Sequence, residues 1–258
     1  MSESIKTSQE IESLREGGKI LREALNAAKA KSLSSMEQSV STLDVSLAAE
    51  EVILAHGATP AFKGYPEGDE NPFPETACVS LNDEIVHGVP SKNRLIKSGD
   101  IVKIDVGVKH KNLFTDAAIS VIVGKGSAEA QKIVKVTRES LEIGLRELKA
   151  GKFLGDYGNA VEKFVVKNGF YVVRGLVGHG VGHAVHEAPQ IPNFGKAGTG
   201  IKWKEGMVIA LEPMVNELNS SIKLGSDGLT FLTKKGGISA HFEDTVVITK
   251  KGCEILTR

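Results

Sequence analysis

The stretch Ile101-Val-Lys-Ile-Asp-Val-Gly-Val108, continued by Leu113-Phe-Thr-Asp-Ala-Ala-Ile119, sets one aspartate inside each of two strand-like apolar runs. In the first run Val102, Ile104, Val106 and Val108 alternate onto one face. Asp105 lies on the other face with Lys103. Read alone, that face is a solvated strand face. The second run changes the reading. A hairpin with His110-Lys111 as its two-residue tip pairs 109 with 112, 107 with 114 and 105 with 116, although neither tip residue is a favoured turn former. Asp105 and Asp116 would then oppose each other with Cβ atoms about 5 Å apart, which is destabilising unless a proton or cation lies between them. A metal clamp accounts for the pair.

Three further positions share that character. Gly178-His-Gly-Val-Gly-His-Ala-Val-His-Glu-Ala-Pro189 holds three of the seven histidines. His179 and His183 have the spacing of a helical zinc pair. Gly178, Gly180 and Gly182 argue instead for a turn between short strands, with backbone packed close to a neighbour. Val208-Ile-Ala-Leu-Glu-Pro-Met-Val215 carries Glu212 in an apolar run, and Glu243 sits between Ala240-His-Phe and Asp244-Thr-Val-Val-Ile248. A buried carboxylate is costly unless paired or metal-bound. The alternatives are a strand-end salt bridge for Glu212, and a polar strand edge for Glu243 with Asp244 exposed beside it. Asp105, Asp116, His179, Glu212 and Glu243 together offer four carboxylates and one imidazole. Two divalent cations would balance that charge, and oxygen-rich ligands with one nitrogen suit Mn, Fe, Co or Zn. The set reads as a two-metal hydrolase.

Around these segments the chain repeats an order. Thr7-Ser-Gln-Glu10 reads as a capping box, with Ile11, Leu14, Leu21 and Leu25 at helical spacing behind it. A second helix runs from about Thr42 to His56 and stops at Gly57. Strand-like pieces follow at Thr76 to Leu81, Ile101 to Val108 and Leu113 to Val123. The second half has a helix from Ser127 to Lys149 and another from Asp156 to Lys167. Strands then follow at Tyr171 to Val173, Val208 to Leu211 and Phe242 to Thr249. Two halves reading helix, helix, strands suggest a duplicated α+β fold. Residues 1–258 are expected to form one domain after a short polar lead, 1–6.

The bulk numbers exclude several classes. Basic and acidic residues balance at 32 each, so a sequence-independent grip on nucleic acid or an anionic membrane is not expected. No apolar run approaches the ~20 residues of a membrane span. Met1 to Gln9 lacks the apolar region of a signal peptide. Two cysteines, Cys78 and Cys253, exclude a disulfide framework and fit a reducing cytoplasm.

These segments resemble methionine aminopeptidases of the short bacterial kind (type I, in the M24 metallopeptidases), over nearly the whole chain from about Ile5 to Thr257. The likeness rests on Asn82-Asp-Glu-Ile-Val-His-Gly-Val-Pro90, on Asp105 and Asp116 eleven apart, and on Gly178-His179 with His186 seven on. It rests also on Glu212-Pro213-Met214 and on Glu243 before Asp244-Thr245. The resemblance implies a pita-bread fold, two α+β halves around a curved antiparallel sheet. It implies that Asp105 chelates one metal, that His179 and Glu212 chelate the other, and that Asp116 and Glu243 bridge them. It implies that His87 and His186 hydrogen-bond the scissile amide and the tetrahedral intermediate, with Glu212 doubling as a proton shuttle. The implied reaction removes the initiator methionine from nascent polypeptide N-termini, with a small second residue. A cytoplasmic monomer with transient ribosome contact is the expectation.

Phe62, Tyr65, Phe73 and Cys78 fall where the family's methionine pocket lies, although each is also ordinary core material. Val185 stands where phenylalanine is common, and Leu229 where some members have tryptophan. Glu67 to Pro72 reads as an insertion, and His183 falls where many members differ. Two other readings compete. Xaa-Pro aminopeptidases and prolidases share the metal set and His186-Glu-Ala-Pro189. Non-catalytic relatives bind RNA or protein through the same fold, but typically lose ligands that are all present here.

Overall fold

The computed structural model describes residues 4–258. Helix α1 spans Ser8–Leu33. Thr7 Oγ1 accepts from the Glu10 amide at 3.3 Å, and Glu10 Oε2 accepts from the Thr7 amide at 2.7 Å. This is the reciprocal cap expected from the sequence. Helix α2, Thr42–Ala55, opens on the same device through Ser41 and Asp44. Gly57, with φ +67°, takes the chain out of it. Leu21, Ala24, Val45, Ala49 and Ile53 of this helix pair pack on Val102, Ile104, Val106 and Val108.

The second half repeats the arrangement. Helices α3, Ala128–Leu145, and α4, Leu154–Lys167, cover Ile209, Leu211, Val246 and Ile248. Helix α3 is shorter than the expected Ser127 to Lys149. Tight i→i+3 turns, Glu147 N to Gly144 O and Leu148 N to Leu145 O, replace the α pattern and bring Leu148 into the core.

Ile101–His110 and Leu113–Ile122 form one antiparallel hairpin, but not in the expected register. Its tip is Lys111-Asn112, both left-handed at φ +49° and +62°. A primed turn accepts asparagine there, whereas His110-Lys111 would have placed two poor formers. Gly107 therefore pairs with Asp116, and Asp105 with Ala118. A slip of two residues leaves every side chain on its face. Asp105 and Asp116 thus become diagonal rather than direct neighbours.

The face they share is not solvated either. Every residue from Ile101 to Val108 is buried. Lys103 is 1% exposed, and its Nζ donates to the carbonyls of Asn82 at 2.9 Å and Ser239 at 3.2 Å. Burial pulls that ammonium down to about 7. The covering comes from residues far away in sequence, which the segment alone does not reveal.

Two main antiparallel sheets meet. The hairpin is flanked by Ala77–Leu81 and Thr59–Pro60. The second sheet runs in the order Cys253–Ile255, Asp244–Ile248, Val208–Leu211, Gly178–Gly180, Glu187–Ile191. They join along a seam. Thr245 Oγ1 accepts from the Asp116 amide at 2.9 Å and donates to the Asp116 carbonyl at 2.7 Å. Ala118 and Glu243 exchange backbone bonds at 3.3 and 2.9 Å. Ser120 Oγ donates to His241 O at 2.7 Å and accepts from His241 N at 2.9 Å.

The C-terminal segment closes on α1 where Gly18 has no side chain. A Cβ there would lie 1.9 Å from the Leu256 carbonyl oxygen, while one at Gly17 would meet nothing nearer than 3.4 Å. Helix propensity alone favours alanine at both positions by roughly 1 kcal/mol. Gly18→Ala is expected to destabilise the fold by about 1–3 kcal/mol, the usual cost of overpacking, while Gly17→Ala is neutral or stabilising. Urea unfolding midpoints of the two variants check this, and equal midpoints would contradict the packing described.

Candidate metal centre

The seam and its neighbouring strands deliver the five predicted ligands to one place. Asp105 and Asp116 come from the hairpin and His179 from Gly178–Gly180. Glu212 directly follows Val208–Leu211, and Glu243 directly precedes Asp244–Ile248. Added Cβ atoms at Gly178 and Gly180 would lie 2.5 Å from Ala210 O and 2.3 Å from Ala188 O. The glycines thus let the His179 strand insert between its neighbours, as the sequence implied. The five side chains, with His87, His186, Phe62, Tyr65, Phe73 and Cys78, line one cavity of about 160 Å³.

The donor chemistry fits divalent cations. Asp105 Oδ1, Asp116 Oδ1 and Glu243 Oε1 are buried with no hydrogen-bond partner. Ligand atoms of Asp116, His179 and Glu243 all lie within 4.8 Å of one another. The His179 Nδ1 faces the Gly180 carbonyl at 2.9 Å. A carbonyl only accepts, so Nδ1 carries the proton and Nε2 presents its lone pair. That Nε2 faces Glu212 Oε1 at 3.7 Å and Asp116 Oδ2 at 3.9 Å. Burial holds the imidazole neutral, down to about 3. Glu212 is placed through its own backbone: Asn193 Nδ2 donates to Glu212 O at 3.0 Å, and buried Tyr157 donates to Asn193 Oδ1 at 2.6 Å.

Burial raises all four carboxyls. Asp105 reaches about 7 and Glu212 about 8. Asp116 and Glu243 are also held well above the usual carboxylate range, with neighbouring carboxylates adding to the effect of burial. Asp244, exposed in the strand-edge alternative for Glu243, is 5% exposed; Arg258 Nε donates to its Oδ2 at 2.9 Å.

One residue escaped the sequence reading. His241 is 1% exposed, with Nε2 3.5 Å from Glu212 Oε2 and 4.0 Å from Glu243 Oε2. Its signal was the strand alternation that sets residues 241 and 243 on one face.

His87 and His186 come from opposite halves. His87 is left-handed at φ +55° in the turn after Glu84–Val86. Its carbonyl accepts from Thr230 Oγ1 at 3.2 Å. Burial lowers its imidazole to about 4. His186 Nδ1 lies 2.8 Å from the Tyr65 hydroxyl, and its ring centroid is 4.4 Å from that of His179. When the phenol donates, His186 presents an Nε2–H to the cavity.

Phe62, Phe73 and Cys78 pack with Val185 and, at the rim, Tyr65 and Leu229. Cys78 pairs with Asp105 across the sheet, and burial beside these carboxyls pushes its thiol well up. Residues Glu67 to Pro72 form an exposed excursion closed at its base by Gly64 N to Phe73 O and Phe73 N to Tyr65 O, both 2.8 Å. Asn71 ties it to Asp227 O at 3.2 Å.

His183 turns away from the centre. Its Nε2 lies 2.6 Å from Glu10 Oε1 and its Nδ1 3.1 Å from Ser4 Oγ. Beside it, fully buried Lys6 pairs with Glu187 at 2.7 Å. The segment preceding α1 therefore clasps the turn that carries His186.

Without cations the cluster costs stability. An acid whose folded pKa is raised holds its proton more tightly when folded. The fold is then favoured below the unfolded value near 4 and loses that advantage as pH rises through about 7 to 8. In chelator at pH 8, Glu243→Gln is expected to raise the thermal midpoint by about 4 °C or more, a gain that shrinks toward pH 5. Added Mn(II) should raise the midpoint of the parent and not of the variant. A lower midpoint for the metal-free variant at pH 8 would refute the charge account.

The chain is similar to known proteins over nearly its whole length. Residues 12–250 match the model of metallopeptidase family M24. A methionine aminopeptidase of Clostridium perfringens is 44% identical over 253 residues, 98% of each chain. The crystal structure of methionine aminopeptidase from Thermotoga maritima superimposes with a TM-score of 0.94 at 40% identity, covering 100% of both chains. Prolidase from Pyrococcus furiosus gives 0.77 at 25% identity, covering 98% of this chain but 65% of that one. The architecture is the pita-bread fold shared by these enzymes, and the chain belongs to metallopeptidase family M24, on its methionine aminopeptidase branch.

Proposed function

We propose that the chain hydrolyses the first peptide bond of polypeptides that begin with methionine, releasing that residue. The observation that carries this reading is the single cavity. Unpartnered carboxylates and His179 occupy one part of its wall, and Phe62, Tyr65, Phe73 and Cys78 supply an apolar part suited to a thioether. Two divalent ions, from Co, Mn, Fe or Zn, would be held by Asp105, Asp116, His179, Glu212 and Glu243. When bound, such ions supply an activated water and polarise the scissile carbonyl.

The chain's own groups do the rest. His87, neutral at pH 7, donates from its ring toward the developing oxyanion. His186, braced by Tyr65, donates an Nε2–H to the scissile amide. Glu212 carries a proton through its carboxyl to the leaving nitrogen. A second cavity of about 610 Å³ shares His87, His179, His186 and Glu212 with the first. It would take the polypeptide beyond the cleaved bond, with a small second residue where the two cavities meet.

Nascent chains are the natural source of such N-termini, so transient ribosome contact, a cytoplasmic location and a monomeric state complete the proposal. No helix among the described residues is long and apolar enough to cross a membrane. Both cysteines are free thiols, which supports a reducing compartment.

Metal-stripped protein given Mn(II), Fe(II), Co(II) or Zn(II) should release methionine from Met-Ala-Ser and leave Ala-Pro-Ala intact. The reverse preference would move the assignment to the proline-specific enzymes. His87→Ala should lower kcat by about 10²-fold or more with metal content unchanged. Loss of metal in that variant would make His87 a ligand instead.

A further inference from the structure

Among the described residues, two groups of side chains are disposed to hold a cation. One is Asp116, His179 and Glu243; the other is Glu212, His241 and Glu243. The second contains a histidine that the five-ligand reading leaves out.

The backbone of His241 is fixed at the seam. Its amide and carbonyl both bond the Ser120 hydroxyl, at 2.9 and 2.7 Å. Ser239–His241 pairs with Met214–Asn216. Strand alternation puts His241 and Glu243 on the cluster face. Phe242 takes the opposite side, under the Arg138 guanidinium at 5.4 Å.

The imidazole itself is unsatisfied. Both ring nitrogens are buried without a hydrogen-bond partner, a costly state for a polar group. His179 differs, because its Nδ1 is engaged by the Gly180 carbonyl. The carboxylate oxygens nearest His241 Nε2, on Glu212 and Glu243, lie at 3.5 and 4.0 Å. These separations are too long for good hydrogen bonds and suit donor atoms arranged around a shared ion, for metal–ligand distances near 2 Å.

We propose that His241 is a sixth ligand of the centre, presenting Nε2 to a cation held jointly with Glu212 and Glu243. The inference rests on the dinuclear reading above and deepens it. The donor set becomes four carboxylates and two imidazoles. Added nitrogen favours the later first-row ions, Co(II) and Zn(II), over Mn(II). Because Nδ1 of His241 lacks the bracing acceptor that His179 has, its bond contributes less orientation than that of His179.

Zinc X-ray absorption on the full chain with two equivalents of Zn(II) tests this by counting imidazoles. Two imidazoles per chain are expected in the parent and one in His241→Gln. Calorimetric titration should show the variant weaker for Zn(II) and Co(II) by about 10-fold or more but for Mn(II) by less than about 3-fold. The parent count stands on its own if the variant does not fold. Two bound zinc ions with one imidazole in the parent would overturn the ligation of His241 and leave the dinuclear reading intact. So would Zn(II) affinity unchanged in a folded variant. Failure of the parent to take up two equivalents would overturn both.

Discussion

Four carboxyl groups converge in a buried cavity at the seam between the two halves, and the surrounding structure answers to that fact. Two unit charges about 4.8 Å apart repel by roughly 3 to 4 kcal/mol at the effective dielectric of a protein. Whole domains are stable by only about 5–15 kcal/mol. Several such repulsions cannot coexist with a folded chain, so the groups must hold protons or share cations. Hard oxygen donors with an imidazole lone pair select the second solution at neutral pH. The apo cluster is therefore a site under electrostatic stress that metal relieves.

That stress explains how the backbone is pinned. Carboxylates that repel would move apart if their strands could slide. Along the seam, hydroxyls of Thr245 and Ser120 each give and take a hydrogen bond with the facing main chain, on either side of the Ala118–Glu243 pair. Each hydroxyl replaces a ladder bond and locks register where two sheets meet. Farther out, buried Lys6 with Glu187 and buried Lys103 with the Asn82 and Ser239 carbonyls tie distant segments to the same region. Both lysines stand outside the carboxylate cluster, so they brace the site without occupying it.

Much of this was legible in the sequence, for reasons that can be named. A carboxylate inside a β-branched run is costly unless compensated, which marked Asp105, Asp116, Glu212 and Glu243. The flanking glycines marked His179. The resemblance added His87, His186 and the pocket, which local pattern alone left as ordinary core. The hairpin register was wrong by two residues because the turn was placed one position early, before Asn112 could take its left-handed role. The faces survived because side-chain direction has period two. Lys103 looked solvated because its cover, Ser239, lies 136 residues away. Local pattern around Glu243 does not single out His241, although its spacing of two residues from Glu243 carries the information.

The division of backbone types follows from the division of labour. The proposed ligands sit on regular strands or immediately at their ends, where ladder hydrogen bonds fix each Cα, because competing charges tolerate little positional error. His87 and His186 sit on irregular backbone, one in a left-handed turn and one in the turn clasped by Lys6. In the proposed reaction those histidines meet a substrate that arrives and leaves, and loops on a rigid scaffold are where such contacts are commonly placed. Left-handed backbone at a non-glycine residue costs about 1–3 kcal/mol. It is sustained at His87 because Gly88 packs against Val79 and Ser80, where an added Cβ would approach to 2.7 Å. The strand therefore determines where the chain at His87 can turn. Charge placement comes first in the architecture, and substrate contact is built upon it.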